Sequence, residues 1–172
     1  MIHDKKLCIT FAGAVGSSKT PISNFLSTKL NLPVFNNDAI RTEIVEDLGV
    51  FDSNEHIKLR DLRLKEILES GVSFICDVSV DREWKEFKKR LTTSGYQWYI
   101  ISLDLSKDLL SQLYNMKGYL ESLKRIDELV HDHNVFLSEN SGDVDLHISD
   151  SDFKNRCQIC YSKADDWIKN IS

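Results

Sequence analysis

Eight consecutive residues, Gly13-Ala14-Val15-Gly16-Ser17-Ser18-Lys19-Thr20, bring together glycines, hydroxyls and one ammonium in the spacing of a phosphate-binding turn. An apolar run, Leu7-Cys8-Ile9-Thr10-Phe11-Ala12, precedes them, and Ile22, Phe25, Leu26 and Leu30 follow at helical spacing. A strand that feeds a glycine-rich turn opening a helix aims successive backbone N–H groups, and the positive end of the helix, at an anion. In the pattern G-x-x-x-x-G-K-[ST], Lys19 reaches the β and γ phosphates of a nucleotide and the Thr20 hydroxyl takes Mg²⁺. Two residues depart from it. Ser18 stands where a second glycine is usual, although glycine tolerates unusual dihedrals and close approach to phosphate. Pro21 suits a first helical turn but removes a backbone donor.

Two carboxylates and an arginine could complete such a site. Asp77 ends the apolar run Val72-Ser73-Phe74-Ile75-Cys76, where an isolated charge is expensive and needs a partner. If that strand lies beside the first, Asp77 meets a Mg²⁺ held by Thr20, through water; otherwise it serves as a turn or capping aspartate. Asp38 opens a helix after a short strand. Either it caps that helix, or its carboxylate orients and deprotonates a hydroxyl facing the γ-phosphate. Arg41, three residues on, shares its face and offers a forked pair of donors to an acceptor or a transferred phosphoryl group.

The elements that would position these groups alternate along the chain. Strands are expected over residues 6–12, 32–36, 72–78, 96–103 and 144–148. Helices are expected from the phosphate turn to Leu30, from Ala39 to Leu48, from Glu55 to Ser70, from Asp81 to Thr93 and from Phe153 to Ile171. Residues 107–139 read as helical throughout, with a break or bend at Gly118, and could form a lid over about 105–140. Nearly continuous apolar strands such as Trp98-Tyr99-Ile100-Ile101 indicate a parallel sheet buried on both faces. The fold class is therefore α/β, a doubly wound sheet of about five strands in one domain over residues 1–172. Ligands in such sheets sit beyond the carboxyl ends of the strands, where the Gly13 turn, Asp38, Asp77 and the loop after Leu103 all fall.

Composition narrows the partners. Lys and Arg number 22 against 27 Asp and Glu, a net charge of −5 that disfavours a broad nucleic-acid footprint. No apolar run approaches the ~20 residues of a membrane span, and Met1-Ile2-His3-Asp4-Lys5-Lys6 lacks a signal-peptide core, so the cytoplasm is the expected compartment. The pair Cys157-x-x-Cys160 shares a helical face with Phe153, Ala164 and Ile168 and reads as buried core rather than as a metal or redox site. His131-Asp132-His133 reads as an exposed stretch of helix. Lys58, Arg60, Arg63 and Lys65 form either a solvated helix face or a flap for an anionic acceptor, with Ile57, Leu64 and Leu68 facing inward. Arg156 is placed at the surface, with adenine as its alternative neighbour.

Taken in order, Gly-x-x-Gly-Ser-x-Lys-Thr, Asn37-Asp38-Ala39-Ile40-Arg41 and Phe74-Ile75-Cys76-Asp77 resemble the small P-loop kinases, in particular gluconate-kinase-like, polynucleotide-kinase-like and zeta-toxin-like proteins. The resemblance covers nearly the whole chain and implies a three-layer α/β/α fold with strand order 2-3-1-4-5. It also implies ATP and Mg²⁺, and phosphoryl transfer to a hydroxyl of a small metabolite or nucleoside. By it, Lys19 and Thr20 match the phosphate and metal residues, Asp38 the acceptor-activating acid, Arg41 the substrate arginine and Asp77 the metal-associated acid. One departure stands out: the lid segment Leu109–Lys117 carries no arginine, leaving Lys117, Lys124 or Arg125 as substitutes. A nucleotide-binding protein with little or no kinase activity is the competing expectation.

Overall fold

The computed structural model describes residues 5–171; the reading of the first four residues as lacking a leader lies outside them. Five strands form one parallel sheet: β1 (Leu7–Ala12), β2 (Val34–Asn36), β3 (Phe74–Ser79), β4 (Gln97–Leu103) and β5 (Leu146–Ile148). Their order is β2-β3-β1-β4-β5, as the resemblance implied. Every residue of central β1 is buried, which is why its sequence is apolar without alternation.

The helices cover both faces. On one, α1 (Lys19–Leu30) lays Ile22, Leu26 and Leu30 against β1 and against Cys160, Ala164 and Ile168 of α8 (Arg156–Ile171). On the other, Leu64 and Leu68 of α3 (Ser53–Ser70) and Trp84, Phe87 and Leu91 of α4 (Trp84–Thr93) close over Cys8, Phe74, Cys76 and Ile100. Ile57 is 48% exposed, so it does not join Leu64 and Leu68 inside. Cys160 is buried as expected, whereas Cys157 is only half-buried.

The helical stretch after β4 is three helices, α5 (Lys107–Lys117), α6 (Leu120–Lys124) and α7 (Ile126–Asn140). Gly118, at φ +69, ends α5 and accounts for the first break. Between Leu48, the last residue of α2 (Asn37–Leu48), and α3 the chain turns at Gly49, and Asp52 caps α3 by accepting from Asn54 and Glu55 N–H. Among the described residues no helix is long and apolar enough to cross a membrane.

Candidate functional site

The loop between β1 and α1 lies at the carboxyl edge of the sheet. Gly13 has φ +128, a region open to glycine alone, and a Cβ there would meet the Leu103 carbonyl oxygen at 3.1 Å. Gly16, at φ +72, is equally constrained by its neighbours: a Cβ would stand 2.9 Å from the Tyr114 ring. Ser18 adopts φ +82, the backbone that a glycine would take without strain. Its hydroxyl caps no helix N–H; instead it accepts from Arg156 Nε at 2.9 Å. Arg156, whose guanidinium lies 4.1 Å from the centre of the Phe153 ring, is thus a neighbour of the loop and not a free surface residue.

Lys19 Nζ donates to the Gly13 carbonyl at 2.9 Å, the Ala14 carbonyl at 2.6 Å and Ser17 Oγ at 3.3 Å. Burial lowers its pKa to about 8, although Asp81, Asp77 and Asp38 all pull the other way. Those three acids come from two segments, Asp38 from α2 and Asp77 and Asp81 from β3 and the turn that follows it. The Ala14 carbonyl also accepts Ser17 N–H at 3.2 Å, and the Gly13 carbonyl takes Ser79 Oγ at 2.9 Å. From the opposite side Tyr114 OH donates to the Val15 carbonyl at 2.5 Å and Lys117 Nζ to the Gly16 carbonyl at 2.6 Å.

Asp77 arrives by a sheet irregularity. The β1–β3 pairing runs Thr10 with Cys76 and then Phe11 with Ser79, so Asp77 and Val78 bulge out of the ladder. The bulge puts Asp77 beside the Thr20 hydroxyl, which hydrogen-bonds to it. Burial raises the Asp77 pKa, opposed by that bond and by Lys19.

The helix start after β2 is capped by Asn36, whose Oδ1 accepts from Asp38 N–H at 2.8 Å and Ala39 N–H at 3.2 Å. The capping role thus falls to Asn36, and the Asp38 side chain is free to border the cleft with Arg41. Arg41 rests on Phe51, 4.1 Å from the ring centre. Loop, Asp38, Arg41, Asp77, Lys117 and Tyr119 line one open cleft of about 830 Å³. Asn37 Oδ1, on the same wall, is buried with no hydrogen-bond partner.

No protein-family model and no curated protein matches this sequence. Solved structures do match its shape. A gluconokinase from Sinorhizobium meliloti 1021 superposes with a TM-score of 0.65 over 96% of this chain and 95% of its own, at 12% identity. A shikimate kinase from Bacteroides thetaiotaomicron gives 0.57 over 92% and 98%, at 15% identity. A deoxyadenosine kinase from M. mycoides gives 0.57 over 92% and 99%, at 17% identity. The fold is that of the small P-loop kinases.

Within this kinase fold, the basic residues of α3 are engaged with acids: Arg63 makes two bonds of 2.7 Å to Glu43, Arg60 pairs with Glu83 and Asp61, and Lys58 with Glu55. They describe a salt-bridged face more than an anion-binding flap. The expectation for His133 is corrected outright. It is 7% exposed, with Nδ1 3.2 Å from Asp81 and Nε2 2.9 Å from Asp104. Sequence carried a usable signal: Leu129, four residues before, and Phe136, three after, put position 133 on the inward face of α7.

Proposed function

We propose that the protein is an ATP-dependent phosphotransferase acting on a hydroxyl of a small molecule, with the 13–20 loop holding the triphosphate. The observation that carries this reading is the single cleft that Lys19, Thr20, Asp38, Arg41 and Asp77 line together at the carboxyl edge of the sheet. With phosphates in the loop, Lys19 Nζ exchanges its carbonyl partners for β and γ oxygens, while N–H groups of the loop and of the start of α1 supply the rest of the cradle. Thr20 and Asp77 would hold Mg²⁺. The fit is chemical: a hydroxyl bonded to a partly buried carboxylate whose proton affinity is raised, beside the phosphate-binding turn. Bound there, the cation neutralises charge on the β and γ phosphates.

Asp38, which lines the same cleft, accepts the proton of the attacking hydroxyl as its oxygen bonds to the γ-phosphorus. The bond from that phosphorus to the β–γ bridging oxygen breaks, and ADP carries off the electron pair. Arg41, fixed over Phe51, and Lys117, at the lip of the loop, offer the positive charge that a lid arginine would otherwise bring. A recess of about 280 Å³ shares Val78 and Ser79 with the cleft and gives the rest of the acceptor a largely apolar seat against Phe35, Leu64 and Phe87. Asn37 Oδ1 provides an acceptor awaiting a ligand donor.

The test is ADP release across a panel of polyols, sugar acids and nucleosides. Acceptor-dependent ADP formation is expected from the native chain, none from Lys19→Ala, and ATP binding without transfer from Asp38→Ala. Transfer that survives Asp38→Ala would remove that residue from the mechanism. A second reading is a nucleotide-binding protein that turns over little. Strained Ser18 and the arginine-free α5 favour it. Calorimetric ATP binding with no ADP from any acceptor would decide for it.

A further inference from the structure

Behind the phosphate loop a chain of hydrogen bonds, buried at His133 and open to solvent at His147, ties four further segments to the loop, and the proposed transfer step uses none of it. Asp81, in the turn before α4, accepts Gly13 N–H on Oδ1 at 2.9 Å. Its other oxygen faces His133 Nδ1 of α7. His133 Nε2 faces Asp104 Oδ1 at the end of β4, and Asp104 Oδ2 faces His147 Nδ1 of β5 at 2.5 Å. Ser102 Oγ also donates to Asp104, at 2.5 Å. Two carboxylates on the two nitrogens of one ring are satisfied together only by an imidazolium that donates both protons. Burial opposes that charge, but the bonds to Asp104 and Asp81 outweigh it and bring His133 up to about 9.

Asp81 has a competing partner. Lys19 Nζ donates to the carbonyl of the same Gly13 whose N–H Asp81 accepts, both at 2.9 Å, so carboxylate and ammonium meet on one residue. A carboxylate freed to turn toward that ammonium would neutralise the charge that phosphate needs and release the Gly13 N–H. The groups facing His133 are Asp81 before α4, Asp104 after β4, Ser102 Oγ at 3.5 Å from Nε2 and the ring of Phe136 on its own helix, with His147 behind Asp104.

We propose that His133 is a positioning residue of the phosphate loop: anchored by Asp104, it holds Asp81 on Gly13 N–H and keeps it from pairing with Lys19. The proposal rests on reading residues 13–20 as a polyphosphate site. A merely structural histidine would not produce the following rescue. His133→Asn is expected to weaken binding of Mg-ATP, and of inorganic tripolyphosphate, about tenfold. Adding Asp81→Asn should restore it, because an amide oxygen still accepts Gly13 N–H but carries no charge for Lys19. Amide exchange supplies a readout free of any nucleotide: Gly13 N–H should exchange about tenfold faster in His133→Asn and slow again in the double variant. Unchanged binding and exchange in His133→Asn, or a double variant no better than the single, overturns the proposal. If the native chain binds neither ligand, the nucleotide reading fails and exchange at Gly13 alone decides for or against the clamp. Should His133→Asn not fold, Asp104→Asn, which loosens the ring while keeping it in place, carries the same expectations.

Discussion

Ser18 keeps a left-handed backbone that costs a non-glycine residue about 1 kcal/mol or more, and its hydroxyl accepts from Arg156 Nε at 2.9 Å. The two residues should therefore be coupled. Arg156→Ala is expected to destabilise the chain by about 1 kcal/mol in the native background, and by much less once Ser18→Gly has removed the strain; urea midpoints of the four-member cycle measure the difference. The serine's departure from the glycine pattern was plain in the sequence, but its remedy was not, because the arginine that supplies it is 138 residues away. Asp38 offers the converse case. Sequence left it either a cap or an acid that activates a hydroxyl, and the cap turned out to be a neighbour of similar chemistry, Asn36, whose side chain accepts from the two N–H groups.

Four successive carbonyls of the loop between β1 and α1, from Gly13 to Gly16, each accept a donor: Lys19 and Ser79, Lys19 and Ser17 N–H, Tyr114, and Lys117. Fixing a carbonyl fixes the N–H of the following residue, which lies in the same trans peptide plane and points the opposite way. Helix α5 thus shapes the nest from behind through Tyr114, whose side chain is wholly buried, and Lys117. Tyr114→Phe, which deletes one hydroxyl, is expected to lower stability by about 1 kcal/mol and to weaken Mg-ATP binding measurably by calorimetry. Gly16→Ala should do more, since its Cβ would press on both Tyr114 and Tyr119 while the backbone stays left-handed; a loss of about 1–3 kcal/mol is expected by thermal unfolding. The helices themselves were legible from apolar spacing and stop residues, Gly118 included. That α5 leans on the loop was not, because Tyr114 and Lys117 read in sequence as ordinary members of an amphipathic helix.

At the scale of the whole molecule, strands were readable because a sheet buried on both faces demands apolar runs, and β1 and β4 supply them. Their order depends on pairings between distant segments and entered through a resemblance to known kinases, which the strand order bears out. The same sheet ties its stability to pH through His133. Its folded pKa, about 9, lies above its ordinary 6.5, so its contribution is complete below pH 6.5 and is lost as pH rises through about 9. For Asp104, burial is outweighed by bonds from His133, Ser102 and His147 that hold it at about 2; that contribution is complete above its ordinary 3.8 and fails only in strong acid. Lys19 works in the other direction above about 8. Unfolding free energies from urea titrations should accordingly fall between pH 6.5 and pH 8, by up to about 1 kcal/mol per pH unit, and His133→Asn should flatten that slope.

The unequal burial of the four thiols has a practical side. Cys8, Cys76 and Cys160 are sealed in the interior, with burial pushing the latter two up to about 12, so a thiol-directed dye should select half-buried Cys157. That side chain follows Arg156 at the first turn of α8, within one residue of the guanidinium that grips Ser18. A fluorophore attached there would turn occupancy of the loop into an optical signal without a single engineered cysteine.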